Sequence, residues 1–121
     1  MQIQYAVFCE KIETKTLPPT FQKPISNFIL KDIKNIEELS FPLFVTLVDG
    51  VSGQHTIKVK ITTPTRTIAI PDYTFNWRGG KTQGEILSVN FQPDIYGMYI
   101  FTITVDNKIS HSVPIPCLAP K

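Results

Sequence analysis

Hydrophobic and polar residues alternate with a period of two along most of this chain. The clearest case runs through residues 98–106, where Tyr99, Phe101, Ile103 and Val105 take every second position and Met98, Ile100, Thr102, Thr104 and Asp106 fall between them. Successive side chains of a strand point to opposite faces, so this spacing predicts a strand with one wholly apolar face. Just upstream, Leu87, Val89 and Phe91 alternate with Ser88, Asn90 and Gln92 until Pro93-Asp94 breaks the run. Downstream, Asp106-Asn107 reads as a tight hairpin turn into a further strand over residues 109–115.

The remainder of the chain follows the same pattern. Residues 2–10 alternate, with Ile3, Tyr5, Val7 and Cys9 on one face, and predict the first strand. Residues 11–26 are mostly polar and contain Pro18, Pro19 and Pro24, which predicts an extended loop or an irregular edge. The stretch NFILKDIKNIEEL (27–39) carries both helical and strand spacing; the all-β context favours a strand in its first half and a short turn or helical turn after it. Residues 41–48, FPLFVTLV, are apolar on both faces, as expected of a strand at a sheet centre. DGVSG (49–53) is a hairpin loop. His55, Ile57, Val59 and Ile61 then point inward, opposite a Lys58 and Lys60 stripe that reads as edge protection. A short strand over 66–70 is followed by Tyr73, Phe75 and Trp77 alternating up to Gly79-Gly80. That glycine pair is read as a hairpin into the strand beginning near Gly84. Seven to nine short strands at regular spacing predict one domain over residues 1–121, a mainly antiparallel β-sandwich.

Composition narrows the function classes. The chain has 121 residues, 42% hydrophobic, with 10 prolines and a formal net charge of +2. This balance suits an ordinary turn-rich globule and is far from the strongly basic surface of a dedicated nucleic-acid binder. No apolar run is long enough to form a membrane-spanning helix. MQIQYAVFCEK lacks the basic leader and long apolar core of a signal peptide, and no Asn-x-Ser/Thr sequon occurs. A cytoplasmic location is expected, with Cys9 and Cys117 as thiols rather than a bridge.

The order of these strands resembles a family of small bacterial proteins known only as a domain of unknown function. The resemblance rests on a hydrophobic first strand ending in Cys9-Glu10, the Asn27–Leu30 segment, Phe41-Pro42 before a central strand, and Gly97-Met98-Tyr99-Ile100-Phe101 near the end. The Pro-rich stretch over 17–25 departs from the glycine-rich turn expected there. The resemblance implies an immunoglobulin-like or similar sandwich and carries no catalytic residues.

Candidate chemistry is sparse. His55, His111, Cys9 and Cys117 lack zinc-ligand spacing. Asp49, Asp72, Asp94 and Asp106 stand singly beside turn residues, without the paired acids of a calcium loop. Cys9 with His111 could form a nucleophile pair only if Cys9 left its apolar strand face. There is no nucleophile elbow, phosphate-binding glycine loop or paired-glutamate arrangement. No catalytic residue, metal or cofactor is therefore assigned, and the protein is read as not an enzyme. The stretch with functional character is YTFNWRGGK (73–81), which sets the single tryptophan beside an arginine at a glycine tip. Tyr73, Trp77, Arg78 and Lys81 are the candidate interface residues, since Trp, Tyr and Arg dominate protein hot spots. The opposing view places Trp77 in the core and Arg78 in a solvated turn. The expected role is a protein–protein interaction or accessory module, with a protein partner or a homo-oligomer. The alternatives are a self-assembling structural protein or a sandwich that binds carbohydrate or nucleic acid.

Overall fold

In the computed structural model, which describes residues 1–13, 20–36 and 38–121, the alternating stretches form ten strands. They are β1 (Gln2–Glu13), β2 (Thr20–Pro24), β3 (Phe28–Ile29), β4 (Leu39–Val48), β5 (Gly53–Thr62), β6 (Thr67–Ala69), β7 (Tyr73–Trp77), β8 (Thr82–Phe91), β9 (Gly97–Val105) and β10 (Ile109–Leu118). A 3-10 turn, Ile33–Asn35, separates β3 from β4, as the mixed spacing of that stretch predicted. The tenth strand is β2, in the stretch read as loop or irregular edge. Here β1 runs on to Glu13 and β2 folds back onto it antiparallel, Cys9 facing Pro24 and Lys11 facing Gln22. Residues 14–19 of that stretch lie outside the described residues.

The strands form two sheets. One has the order β2-β1-β4-β8, the other β3-β10-β9-β5-β6, with β7 also paired to β5. Every pairing is antiparallel except β3 with β10. The set β1-β4-β8 facing β10-β9-β5 has the A-B-E against G-F-C arrangement of an immunoglobulin-like sandwich. Tyr99 adds the corner expected of that fold. Its hydroxyl donates to Ile95 O (2.8 Å) and accepts from the backbone N–H of Asp94 (3.3 Å) and Ile95 (3.4 Å), pinning the crossing from β8 to β9.

The core lies between the inward faces. Leu43, Val45 and Leu47 of β4 and Leu87, Val89 and Phe91 of β8 pack against Ile57, Val59 and Ile61 of β5 and Tyr99, Phe101, Ile103 and Val105 of β9. Phe8, Phe28, Phe41, Phe91 and Phe101 interlock at one end, with ring centroids from 4.8 Å (Phe8–Phe101) to 6.3 Å (Phe28–Phe101) apart. Tilted and edge-on pairs of this kind add to plain area burial. β4 sits between β1 and β8, the sheet-centre position its two-sided hydrophobicity predicted.

Three expectations need correction. The register of β1 on β4 shifts between Ile3 and Tyr5. Ile3 faces inward with Leu47 whereas Tyr5 pairs with Thr46 and is 38% exposed, so the two do not share a face. An extra residue in a strand reverses the side of everything after it, and alternation alone does not reveal it. Second, Lys58 and Lys60 do not guard an edge, because β5 is paired on both sides. Third, β7 and β8 are not a hairpin: β7 pairs with β5 in one sheet and β8 with β4 in the other. Their buried sides face each other across the sandwich, an arrangement that gives the same alternation as a hairpin.

Candidate functional site

Residues 78–81 carry the chain from one sheet to the other. Gly79 (φ +93°) and Gly80 (φ +86°) take the left-handed backbone this crossing requires. Without a ladder between β7 and β8, a side chain joins them. Gln83 accepts from the Arg78 N–H at 2.9 Å and donates to Asn76 O at 2.9 Å. Next on the same inward face is Glu85, 7% exposed. One of its oxygens accepts from the Tyr73 hydroxyl at 2.9 Å; the other accepts from Arg78 Nη2 and from Gln83 Nε2, each at 3.2 Å.

A buried carboxylate persists only when its oxygens are bonded, and here both are. Burial, and then the bond to the Glu85 carboxylate, hold the Tyr73 phenol above its ordinary value, so it remains a donor. The Arg78 side chain is mostly in water (74% exposed) and closes the network from outside. Tyr73, Thr74, Phe75, Arg78, Glu85 and Ile86 line an open groove of about 540 Å³ between the flanks of the two sheets.

The four candidates from the sequence thus divide. Tyr73 and Arg78 meet on Glu85. Lys81 is exposed at the end of the crossing, its carbonyl accepting from the Asp49 N–H at 3.0 Å. Trp77 is only 6% exposed and lies over Gly50 inside the core, so its ring stiffens the crossing and offers no outer surface. Gln83 and Glu85 were missed by sequence reasoning. The signal for them was present: two polar residues occupy the parity that Leu87, Val89 and Phe91 continue as apolar.

A second polar cluster ties the turn between β9 and β10 to β5. His55 Nδ1 lies 2.6 Å from Asp106 Oδ2 and its Nε2 lies 2.6 Å from Val51 O. Both partners can only accept, so these contacts favour the doubly protonated ring. The bond to Asp106, then that to Val51, raise the His55 pKa above its ordinary value. For Asp106, burial pushes upward, but the bonds from His55 and from the Thr56 N–H outweigh it and the net shift is downward. Asp106 and Asn107 both hold positive φ (54° and 55°), and the Lys108 N–H returns to Val105 O at 3.0 Å. This is the tight turn the sequence predicted.

The remaining candidates stay apart. Cys9 is buried in β1, Cys117 is buried in β10, and His111 is exposed on β10, in the sheet opposite Cys9. Asp72 pairs with Lys58, Asp94 with Arg66 and Asp106 with His55. Among the described residues no three His, Cys, Asp or Glu side chains are grouped to hold a metal ion. No described helix is long and apolar enough to cross a membrane.

No family model matches the chain, and no curated protein matches it. Among solved structures it is similar to part of a β-glucosidase from Listeria innocua. A structure of that enzyme in complex with glucose gives a TM-score of 0.54 at 8% identity, covering 94% of this chain and 16% of that one. Another structure of the β-glucosidase gives 0.55 at 9% identity, covering 96% and 16%. The chain therefore spans only 16% of the length of these neighbours, and the likeness shows the fold alone.

Proposed function

We propose that this protein is a non-enzymatic interaction module that binds a protein partner along the flank where β7 crosses to β8. The observation that carries this reading is the open groove there, lined by Tyr73, Phe75 and the exposed Arg78, with Lys81 exposed at the end of the same crossing. The polar groups inside it are already bonded to one another, so they hold a shaped surface in place and leave no acid or base idle. A half-buried tyrosine beside an exposed arginine is the composition of an interface anchor. We place the protein in the cytoplasm and with the small bacterial proteins its strand order resembles.

The test is affinity capture from source-cell lysate with wild type and an Arg78→Ala/Lys81→Ala variant. Both side chains are exposed, so the variant keeps its fold, as circular dichroism checks. A partner captured by wild type and lost from the variant is the expected result. Equal capture by both overturns the assignment of this flank.

Self-association is a second reading with its own observation. On the outer face of the sheet that holds β3, β10 and β9, Ile29 (61% exposed), Met98 (50%), Leu118 (45%) and Ile100 (38%) lie close together, because Ile29 pairs with Leu118 and Met98 with Pro116. An apolar patch of this kind fits a second copy of the chain. Light scattering that finds a monomer over the whole accessible concentration range removes this reading.

A further inference from the structure

Among the described residues, β8 leaves one long side of its sheet unpaired. β8 ends its sheet, paired to β4 over ten successive positions from Leu39↔Phe91 to Val48↔Thr82. The next pair onward, Asp49 with Lys81, is a hydrogen-bonded one, since the Asp49 N–H donates to Lys81 O. Bonded and non-bonded pairs alternate in an antiparallel ladder, so Gln83, Glu85, Leu87, Val89 and Phe91 spend their backbone groups on β4. The N–H and C=O groups of Thr82, Gly84, Ile86, Ser88 and Asn90 therefore point away from it. Among the described residues no strand pairs with that side.

Long sheet edges are normally blunted by proline, lysine, a bulge or shortness. β8 is ten residues long with no proline, no lysine and no register shift. Its one protective device is a charge pointing inward, Glu85. That device is selective. A strand added beside β8 hangs its inward side chains over the groove, within about 5 Å of the Glu85 row. An acidic side chain there meets a buried carboxylate. A basic one meets the same carboxylate beside Arg78, at the oxygen that otherwise accepts only from Tyr73. A second copy adding through its own β8 would carry another Glu85 inward and is disfavoured by like charge.

We propose that the edge of β8 receives an extended segment of a partner protein as a fifth strand, with a lysine or arginine turned inward against Glu85. This deepens the reading of the flank as an interaction surface and rests on it. Backbone bonds along the edge supply affinity, and Glu85 supplies selection.

The test is a nuclear magnetic resonance titration of the labelled protein with two blocked peptides, SVTVRVTVS and SVTVEVTVS, which differ only at the central residue. The expected result is that the arginine peptide shifts the amides of Gly84, Ile86 and Ser88 and binds at least about tenfold more tightly than the glutamate peptide. Ser88→Pro deletes a free-edge N–H without costing a bond to β4, and is expected to abolish binding while the protein stays folded. Should that variant not fold, Glu85→Gln provides the second measurement, with the preference for arginine falling to near unity. No shift of β8 amides at about 1 mM arginine peptide, or equal affinity for both peptides, overturns the proposal. Lysate capture separates the two levels. A partner kept by Ser88→Pro but lost from Arg78→Ala/Lys81→Ala overturns strand addition and leaves the interaction surface standing. No partner for wild type, with the peptide result positive, overturns the lysate-partner reading instead.

Discussion

Gly50→Ala tests whether Trp77 anchors the crossing from inside. A Cβ placed on Gly50 would lie 2.6 Å from Trp77 Cε2 and nearer still to Cδ2 and Cε3. Carbon atoms pack at about 3.5–4.0 Å, so the indole must withdraw by roughly 1 Å or more. It has little room to do so. It is 6% exposed, Trp77 pairs with Gly53, and Gln83 holds the Arg78 N–H immediately after it. Overpacking of this kind costs about 1–3 kcal/mol, and the pinned ring argues for the upper half of that range. Opposing it, alanine restricts the unfolded chain and stabilises by about 0.4–1 kcal/mol, because Gly50 does not need a left-handed backbone. The steric effect wins, for a net loss of about 1–2.6 kcal/mol and a Tm lower by roughly 4–10 °C in a chain of this size. Trp77 is the single tryptophan, so urea unfolding followed by its fluorescence reports directly on the perturbed ring, with a red-shifted native emission. In a Trp77→Phe background, followed by far-ultraviolet circular dichroism, the same Gly50→Ala change is expected to cost at least about 1 kcal/mol less. An unchanged midpoint and emission for Gly50→Ala would refute the packing argument. So would an equal cost in both backgrounds, which would move the effect to the loop backbone.

Three other outcomes are expected. His55 has a raised folded pKa, so its contribution is fully present below the ordinary value of 6.5 and is lost as pH rises through the folded value; Asp106, lowered from 3.8, contributes above that value and loses it as pH falls through the folded one. The clasp is thus strongest between about pH 4 and 6.5, and His55→Ala is expected to flatten the dependence of Tm on pH across and above that window. At the flank, Tyr73→Phe is expected to cost about 1 kcal/mol in urea unfolding, since Glu85 loses a sheltered donor. Arg78→Ala should cost under about 0.5 kcal/mol, because its ion pair is mostly in water; the reverse ranking would contradict the network described. Among the described residues Thr46 Oγ1 is buried with no hydrogen-bond partner, so Thr46→Val is expected to raise stability by about 1 kcal/mol in the same assay; a loss would mean that the hydroxyl is bonded.

Much of the fold was legible because strand alternation is local. The apolar parity of β5, β8 and β9 needs only neighbours two positions apart, and the burial of those strands follows it. Asp106-Asn107 was legible for the same reason, since the turn depends on two residues that tolerate positive φ. Glu85 was half legible: its parity marked it as inward, while its partners at positions 73, 78 and 83 could not be assigned without knowing that β7 and β8 face each other. His55 and Asp106 are 51 positions apart, and no local pattern links them.

Alternation says which side of a strand is buried and is silent about which strand lies beside it. Hence the sequence by itself determined an all-β sandwich, the apolar faces of β5, β8 and β9 and the tight turn at Asp106-Asn107. Only the tertiary structure decided that Trp77 lies inside while Arg78 lies outside, that residues 78–81 cross between sheets, and that β8 is left with an open edge next to a buried carboxylate. Those outcomes depend on strand pairing, which is settled by contacts across the whole sandwich.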